Sequence, residues 1–590
     1  MPEFNTVNTI DYGLILLYFA ILIWVGVYSS RKNKNTEDYF RGGGKIPWVL
    51  AGLSNWVSGF SAFMFVAAAG YAYQSGAGTI LIFTSAFWAY LVGYAYFAAR
   101  WRRARIHTPL EFLTRRFSHS TTYYYSVTAI VPQIVNIGQG LYILCIFVGA
   151  ALGFSERSFV VLGLELSGLQ VSILAVGTVM VIYTVIGGLW AAVLSDAVQS
   201  LIITTMTFLV FIVSFLYLGQ DAGFLGGFHR LVREAPEGFF GLTGDLADPL
   251  FLIAYFLNVL MGYNVGWALV QRYHSVPDET DARKMALLCA VLSIVGPLLW
   301  ILPVMGARVI FPDIALLWPS LAVPAEASYV SLALLLLPHG LIGFVVSAIL
   351  SATLGQANDS FNWLAATLTR DVYVPLRKRV RGEEPTERAQ MRLARGTMLV
   401  VGLLGIVVAL YIPRFGGAFA FALQFYSLTA AFSMPVILGM VYTKTPWWSG
   451  IASCTAAVGT GIVMMSFDIW DVQPMVGNMI SESIAASVVF FGSAFWWREG
   501  DPRNVGILQF AADLKKPVLA ADRTVDREGL RVYGLLGTIA IVLGLVLVGC
   551  TFLPSSPLAP PVINTIAGAA LIVVGFILKH IARDRQEVTP

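Results

Sequence analysis

Charged residues are scarce in this chain. Only 12% of its 590 residues are Asp, Glu, Lys or Arg, whereas 57% are apolar. Soluble domains carry about 25% charged residues. The shortage of charge excludes a soluble domain as the main body of the chain. It predicts a polytopic membrane protein, because each helix that spans a lipid bilayer needs about 20 mostly apolar residues.

Cysteine and histidine are also few. The four cysteines, Cys145, Cys289, Cys454 and Cys550, are widely spaced in apolar stretches, and the six histidines form no cluster with metal-ligand spacing. This pattern favours packing roles over disulfides or metal sites. The sequence also has no phosphate-binding glycine loop and no nucleophile elbow, so we expect no enzyme. The loops account for the net charge of +4, so no nucleic-acid partner is predicted.

Long apolar runs dominate what is present. Fifteen segments could form spanning helices, at residues 10–30, 47–73, 79–99, 122–153, 168–187, 190–218, 249–271, 283–311, 340–369, 395–413, 417–441, 447–467, 478–497, 532–553 and 563–578. If the N-terminus is outside, the inward loops carry 33 of the 38 Lys and Arg residues. Basic residues stay on the cytoplasmic side. We therefore expect a plasma (inner) membrane protein with its N-terminus outside and its C-terminus in the cytoplasm.

Two of the apolar segments contain small and polar residues near their centres. They read "LSNWVSGFSAF" at 53–63 and "NVLMGYNVGWA" at 258–268. Gly59 and Gly262 are weak helix formers, and nearby serine and asparagine side chains can satisfy backbone groups that a break exposes. Both segments are predicted to be interrupted helices. The alternative is that their small residues only allow close helix packing.

The two interrupted segments occupy corresponding places in the chain. One opens a group of five segments at 47–218, and the other opens a second group of five at 249–441. Under the topology above they enter from opposite sides, which is typical of inverted halves around a site at the bilayer midplane. Residues 1–46 then form an extra helix and a cytoplasmic loop. Residues 442–590 form four accessory helices with a cytoplasmic loop at 498–531.

Four motifs follow these segments in order. They are "TPLEFLTRRF" (108–117), "IGGLWAAVLSDAVQS" (186–200), "ALVQRY" (268–273) and "LTRDVY" (368–373). In order and spacing, over about 40–440, the chain resembles the sodium/solute symporter family. The resemblance implies an all-α integral membrane protein with an inverted five-plus-five, leucine-transporter-like repeat and about fifteen spans. It also implies sodium-coupled symport of a small organic solute by alternating access.

The resemblance implies a sodium site between the break in the first core helix and the middle of the eighth. Its carbonyl positions fall on Val57, Phe60 and Ala352, and its adjacent hydroxyl pair falls on Gly355 and Gln356. Neither residue of the pair is Ser or Thr. A dehydrated cation needs protein oxygens in place of water. The usual site is therefore impaired or rebuilt, with Gln356 offering one amide oxygen.

A second cation site, used in part of the family, would take Asp196 from the "SDAVQ" motif. Its other positions fall on Asn358 and Asp359. Because an ionisable residue within a span is costly, it is a functional candidate. We expect Gln356, Asn358, Asp359 and Asp196 to form one oxygen cluster, in which close carboxylates would share a proton. The alternatives are that Asp359 faces a solvated vestibule and that Asp196 pairs structurally.

The solute pocket departs from that of sugar-transporting relatives. Positions that hold polar contacts there align with Met64, Val259 and Ser293, which does not indicate a hexose site. Asn258, Tyr263, Asn264 and Gln424 remain available for hydrogen bonds with a solute.

We interpret the chain as a cation-coupled importer of a small organic solute. Sodium is the expected coupling ion, and protons are the competitor. An uncoupled facilitator and a transporter-like solute sensor are the alternatives. The cytoplasmic loop at 498–531 is too short to hold an output domain of a sensor.

The basic loops lead to a topological test. Tags inserted at about 320 and 557 should be accessible from outside, whereas tags at 385, 510 and 588 should not, because basic loops stay in the cytoplasm. Labelling of intact cells with an impermeant reagent measures this. Labelling of 320 and 385 from the same side would contradict the inverted arrangement.

Overall fold

The structure is a computed structural model. It describes residues 5, 7–30, 46–59, 61–106, 108, 110–128, 130–155, 157–161, 163–186, 189–242, 244–415, 417–426, 429–467, 473–518, 527–553 and 560–587.

Nearly all described elements are helices. In chain order they are α1 (Thr9–Ser30), α2 (Trp48–Ser58), α3 (Ala62–Phe65), α4 (Ala67–Ser75), α5 (Gly78–Val92), α6 (Ala98–Arg103), α7 (Glu111–Arg116), α8 (His119–Thr128), α9 (Ile130–Ala151), α10 (Gly168–Ile186), α11 (Leu189–Gly219), α12 (Gly223–Glu234), α13 (Pro249–Val265), α14 (Trp267–Ser275), α15 (Glu279–Ile310), α16 (Ser328–Leu336), α17 (Leu341–Ala366), α18 (Val374–Arg381), α19 (Glu387–Tyr411), α20 (Ala418–Tyr426), α21 (Thr429–Val441), α22 (Ser449–Phe467), α23 (Pro474–Gly492), α24 (Pro502–Asp513), α25 (Arg527–Cys550) and α26 (Val562–Glu587).

Shorter turns and one hairpin complete the described structure. The π-helical stretches are Gly93–Phe97 and Thr367–Tyr373, and the 3-10 turns are Gln220–Ala222, Gly244–Ala247, Ile314–Leu316, Pro324–Ala327, Ile412–Phe415 and Ser493–Trp496. Strands β1 (Ser158–Val161) and β2 (Leu164–Ser167) pair antiparallel, with Ser158 opposite Ser167. The prediction of an all-α fold is thus correct apart from this hairpin.

Each of the fifteen predicted segments overlaps one or more of these helices. By length and hydropathy, nine helices within the described residues could cross a membrane, or eleven if two bent pairs are each counted as one span. The chain is therefore a multi-pass helical membrane protein. The count of fifteen spans stays a prediction.

The two interrupted helices are present. Helix α2 and the helical stretch Ala62–Ser75 are bent by 49°, and helices α13 and α14 are bent by 41°. The second break lies at Gly266, which has an extended backbone, and Gly262 remains inside α13. At the first break, Thr353 of α17 accepts a hydrogen bond from the Ala62 amide at 3.1 Å. This hydroxyl satisfies one of the amides that a helix start leaves unpaired.

Helix α17 lies in the middle of the bundle, with most of its side chains buried. Its N-terminus is held by Asp11 of α1, whose Oδ1 accepts hydrogen bonds from the amides of Gly340 at 2.7 Å and Gly343 at 2.9 Å. A side chain at Gly343 would collide with the Asp11 backbone. A carboxylate at a helix N-terminus is favourable because it satisfies free amides and opposes the helix dipole. The N-terminal helix thereby fixes the start of the central helix.

Three arginines assigned to cytoplasmic loops from the sequence are buried. The exposed fractions of Arg102, Arg116 and Arg272 are 3%, 1% and 0%. Arg102 donates to the carbonyl of Val276 at 2.7 Å, and Arg116 donates to the carbonyl of Gly439 at 2.8 Å. These arginines therefore bind helix and loop ends rather than facing solvent. Arg272 belongs to the central site.

Candidate functional site

A cavity of about 390 Å³ lies between the two bent helices. It is bounded where the breaks approach each other, because a side chain at Gly59 would lie only 2.8 Å from Cε1 of Tyr263. The absence of a Cβ at Gly59 lets the Tyr263 ring pack directly on the first break. A volume of this size suits a small organic molecule.

Amide and hydroxyl groups provide most of the polar lining. The amide side chains are Gln133, Asn136, Gln139, Asn258 and Gln356. Ser85, Thr429 and Ser433 add hydroxyls, and Phe63, Met64 and Phe83 add apolar surface. Asp359 is the one charged residue among the described lining residues, which include no Lys, Arg or His. The cavity therefore offers many neutral hydrogen-bonding groups and no basic side chain to an anion.

The structure brings together some of the predicted solute-binding residues and separates others. Met64, Asn258, Tyr263 and Val259 line the cavity. Asn264 is fully buried and donates hydrogen bonds to the carbonyls of Ala89 and Leu260, both at 2.9 Å. Asn264 and Ser293, which is also buried, are not among the lining residues. The side chain of Gln424 lies outside the described part of the chain.

Sequence reasoning missed the polar face of α9. Gln133, Asn136 and Gln139 follow one another at three-residue spacing and so lie on one side of the helix. All three line the cavity. The signal was present as a polar stripe in an otherwise apolar segment, but that segment carries no break and no family motif that drew attention to it.

A buried ion cluster lies beside the cavity. Arg272 of α14 donates from Nη2 to Oδ2 of Asp196 at 3.2 Å, and it also pairs with Oδ1 of Asp359. Ser54 of α2 donates to Oδ2 of Asp196 at 2.6 Å and accepts from Nε of Arg272 at 3.1 Å. Ser58 donates to Oδ2 of Asp359. Helices α2, α11, α14 and α17 thus meet at one guanidinium.

The cluster pairs two acids with one base. Asp196 and Arg272 are fully buried, and Asp359 is 1% exposed at the cavity wall. With all three groups ionised, the cluster carries one net negative charge. A buried charge is tolerated only when it is paired. One monovalent cation or one proton would balance the cluster, which is a property suited to ion coupling.

The two predicted hydroxyl-pair positions point to different places. Gly355 faces α11, because a Cβ there would lie 2.6 Å from Oδ1 of Asp196 and 2.8 Å from Oε1 of Gln199. Gln356 instead lines the cavity. Oδ1 of Asp196 and both side-chain polar atoms of Gln199 are buried without a hydrogen-bond partner. Buried polar atoms normally have partners, so these atoms mark a place for an ion or water.

The remaining predicted cation ligands are only partly visible. Val57 and Ala352 are fully buried. Phe60 and the side chain of Asn358 lie outside the described residues. Arg272, Ser54, Ser58 and Gln199 were not predicted. Arg272 is part of the "ALVQRY" motif, but its position at a helix end led to its assignment as a loop charge.

Two bent helices around a closed cavity, with an ion cluster at the adjoining helices, define a multi-pass membrane transporter. A profile described as "Sodium:solute symporter family" matches residues 39–451. The chain belongs to the sodium:solute symporter family, and is thus by class a secondary transporter of a small-molecule solute.

Several relatives are similar along much of their length. The sodium/sialic acid symporter NanT of Aliivibrio fischeri is 25% identical over 427 residues, which cover 70% of this chain and 78% of the relative. The sodium/glucose cotransporter of Vibrio parahaemolyticus is 24% identical over 561 residues, which cover 90% and 97%. The rat sodium/myo-inositol cotransporter 2 is 26% identical over 498 residues, which cover 79% and 71%.

A solved structure shares the fold. It is described as the "substrate-bound outward-open state of a Na+-coupled sialic acid symporter", and it superposes with a TM-score of 0.67 at 18% sequence identity. The match covers 83% of this chain and 98% of that chain.

The environment of Gly355 gives a direct test of the rebuilt site. We expect Gly355→Ala to destabilise the protein by about 1–3 kcal/mol, as is usual for overpacking, because its Cβ would lie 2.6 Å from Oδ1 of Asp196. Gly140→Ala is the control, since its nearest neighbours would lie at 3.6 and 3.9 Å. Thermal unfolding of the purified proteins measures the difference. Equal stability of the two variants would contradict the close approach of α17 to α11.

Proposed function

We propose that this chain imports a small uncharged polar solute together with a sodium ion by alternating access. The observation that carries the solute class is the lining of the cavity. Five amide side chains face it, and its described lining has no basic residue. A carboxylate solute would need a cationic partner to offset its desolvation. Amides and hydroxyls can donate and accept with an uncharged solute.

This proposal separates the chain from the relatives named for sialic acid. Sialic acid is an anion at neutral pH, and the one charged group of the described lining, Asp359, is an acid. Met64 adds apolar surface where sugar-transporting relatives place a polar contact. We therefore also propose that the solute is not a hexose.

The solute class can be tested by thermal-shift screening of the purified protein. Uncharged amides and polyols should raise the unfolding temperature, whereas sialic acid and other anions should not. A solute at 100 times its Kd stabilises the folded state by about 2.7 kcal/mol. In Asn258→Ala the Kd should rise about two- to tenfold, which is the value of one hydrogen bond.

Asn264→Ala is the matched control for that screen. It removes a buried amide that bonds to the protein's own backbone. It should lower the unfolding temperature without solute and leave the solute-induced shift unchanged. Strong stabilisation by sialic acid or glucose would contradict the proposed solute class.

The ion cluster supports the proposed coupling. Asp196 and Asp359 share Arg272, and Oδ1 of Asp196 and Oε1 of Gln199 are free to bind a cation beside Gly355. We propose that sodium binds in this region and balances the second carboxylate. Ser54 and Ser58 connect the cluster to the helix that bends at Gly59. Ion binding could thus favour one arrangement of that helix.

The bent helices also support the proposed architecture. The first bend lies near the start of residues 47–218 and the second near the start of residues 249–441. We propose that these ranges are the two inverted repeats, that residues 1–46 and 442–590 are accessory, and that the N-terminus is outside the plasma membrane.

Coupling is tested in proteoliposomes with a solute from the screen. Uptake should follow an imposed sodium gradient at fixed pH. We expect Asp196→Asn and Asp359→Asn to raise the sodium concentration for half-maximal uptake about tenfold or more, because charge-assisted contacts are worth about 1.5–3 kcal/mol. Asp248→Asn is the control, since Asp248 caps helix α13 away from the cluster.

Each other result has a defined meaning. Uptake driven only by a pH gradient would make the cluster a proton site and contradict sodium coupling. Sodium-driven uptake that is unchanged in both variants would contradict the cluster. Equilibration without accumulation would indicate a facilitator, and binding without transport would indicate a sensor.

A further inference from the structure

Two buried glutamates, remote from the ion cluster, bind the ends of neighbouring helical segments at the cavity. The segments are α20 (Ala418–Tyr426) and α21 (Thr429–Val441). Glu326 lies in the turn Pro324–Ala327, and Glu482 lies on the accessory helix α23 (Pro474–Gly492). They are 4% and 0% exposed. Burying a carboxylate is costly, so each position calls for an explanation.

Glu482 binds the start of α21. Its Oε2 accepts a hydrogen bond from the amide of Ala431, the third residue of α21, at 3.0 Å. Space for the carboxylate is provided by α22, because a methyl group on Gly461 would overlap Oε1 of Glu482. Amides in the first turn of a helix lack partners within the helix and carry partial positive charge. Glu482 therefore acts as an N-terminal cap supplied by another helix.

Arg116 binds the other end of the same segment. It donates to the carbonyl of Gly439 from Nε and to the carbonyl of Tyr442 from Nη2, both at 2.8 Å. A cation at a helix C-terminus opposes the helix dipole, as an acid does at the N-terminus. Between the ends, the fully buried Ala431 packs with Ala457 of α22 and Ala486 of α23. Helix α21 is thus held at both ends and along one side.

Helix α20 is held differently. Oε1 of Glu326 accepts from the amide of Ala418, the first residue of α20, at 2.7 Å. The turn that carries Glu326 sits close to α4, because a side chain at Gly70 would lie 3.0 Å from Cγ of Glu326. Phe419 stacks on Tyr71 of α4 with ring centroids 4.3 Å apart. These contacts tie α20 to the bent first helix and its neighbouring turn, not to the accessory helices.

The cavity depends on this arrangement. Thr429, Phe432 and Ser433, which lie at the start of α21, line it. We propose that Glu482 and Arg116 are positioning residues that fix α21 as a static wall of the solute cavity, while Glu326 holds α20 separately. In this arrangement α20 moves without α21 during transport. The proposal rests on the proposed function only for the movement, because the anchoring of each segment is independent of the solute and the ion.

Amide hydrogen exchange, read by mass spectrometry on the full-length protein in lipid nanodiscs, tests the separate anchoring. Glu482→Leu should speed exchange about tenfold in peptides from 429–441 and leave 418–426 unchanged, because a hydrogen bond to a charged group is lost. Glu326→Leu should have the reverse pattern. Glu482→Gln keeps an acceptor oxygen and should exchange almost as the unaltered protein does.

Two glycines provide a matched pair in case Glu482→Leu does not fold. Gly461→Ala pushes the carboxylate of Glu482 aside and should speed exchange in 429–441. Gly459→Ala lies on the same helix, with open space around its Cβ, and should not. Unchanged exchange at 429–441 in Gly461→Ala, or a joint response of both segments to either glutamate variant, would overturn the proposal.

The movement is tested by comparing sodium chloride with potassium chloride. Sodium should alter exchange in 418–426 and not in 429–441, and in Glu482→Leu or Gly461→Ala the second range should become sensitive to sodium. A purely structural cap would not produce this change. Equal sodium sensitivity of both ranges in the unaltered protein would overturn the static wall. If sodium alters no peptide of the chain, sodium coupling and the proposed movement both fail, while the response to the variants still decides the anchoring.

Discussion

The central constraint in this molecule is the charge balance around Arg272. One guanidinium, buried where four helices meet, contacts two carboxylates. Removing one partner of a buried ion pair typically costs about 3–5 kcal/mol, because a charge is left uncompensated. The four helices are therefore tied to one another through Arg272. Two of them, α2 and α14, lie next to the bends of the broken helices, so the cluster and the bends form a single unit.

The same unit explains why the usual cation motif is not needed in its usual form. Gly355 has no side chain because Asp196 and Gln199 occupy the space in which a hydroxyl would lie. An acid and an amide from α11 replace a hydroxyl pair from α17. The site therefore keeps its oxygens but takes them from a different helix. Sequence comparison by position alone would read this exchange as a loss.

Buried acids recur at helix starts throughout the molecule. Asp11 caps α17, Glu326 caps α20 and Glu482 caps α21. In each case the acid comes from an element other than the helix that it caps. In a membrane protein, where water cannot satisfy free amides, such caps provide directional contacts that apolar packing lacks. They give the accessory helices a specific influence on the helices around the cavity.

The sequence by itself determined the class of protein, the helical segments, the two interruptions and the acids Asp196 and Asp359. Hydropathy, glycine content and charge within a span are local properties, and each can be read from a short stretch of chain. Tertiary structure decided which groups those acids meet. Arg272 is 76 residues from Asp196 and 87 from Asp359, and nothing in its local sequence distinguishes it from a cytoplasmic loop arginine. The amide face of α9, the exclusion of Asn264 from the cavity and the caps by Glu326 and Glu482 likewise depend on which helices pack together, because a side chain acquires its partners only from the packed bundle.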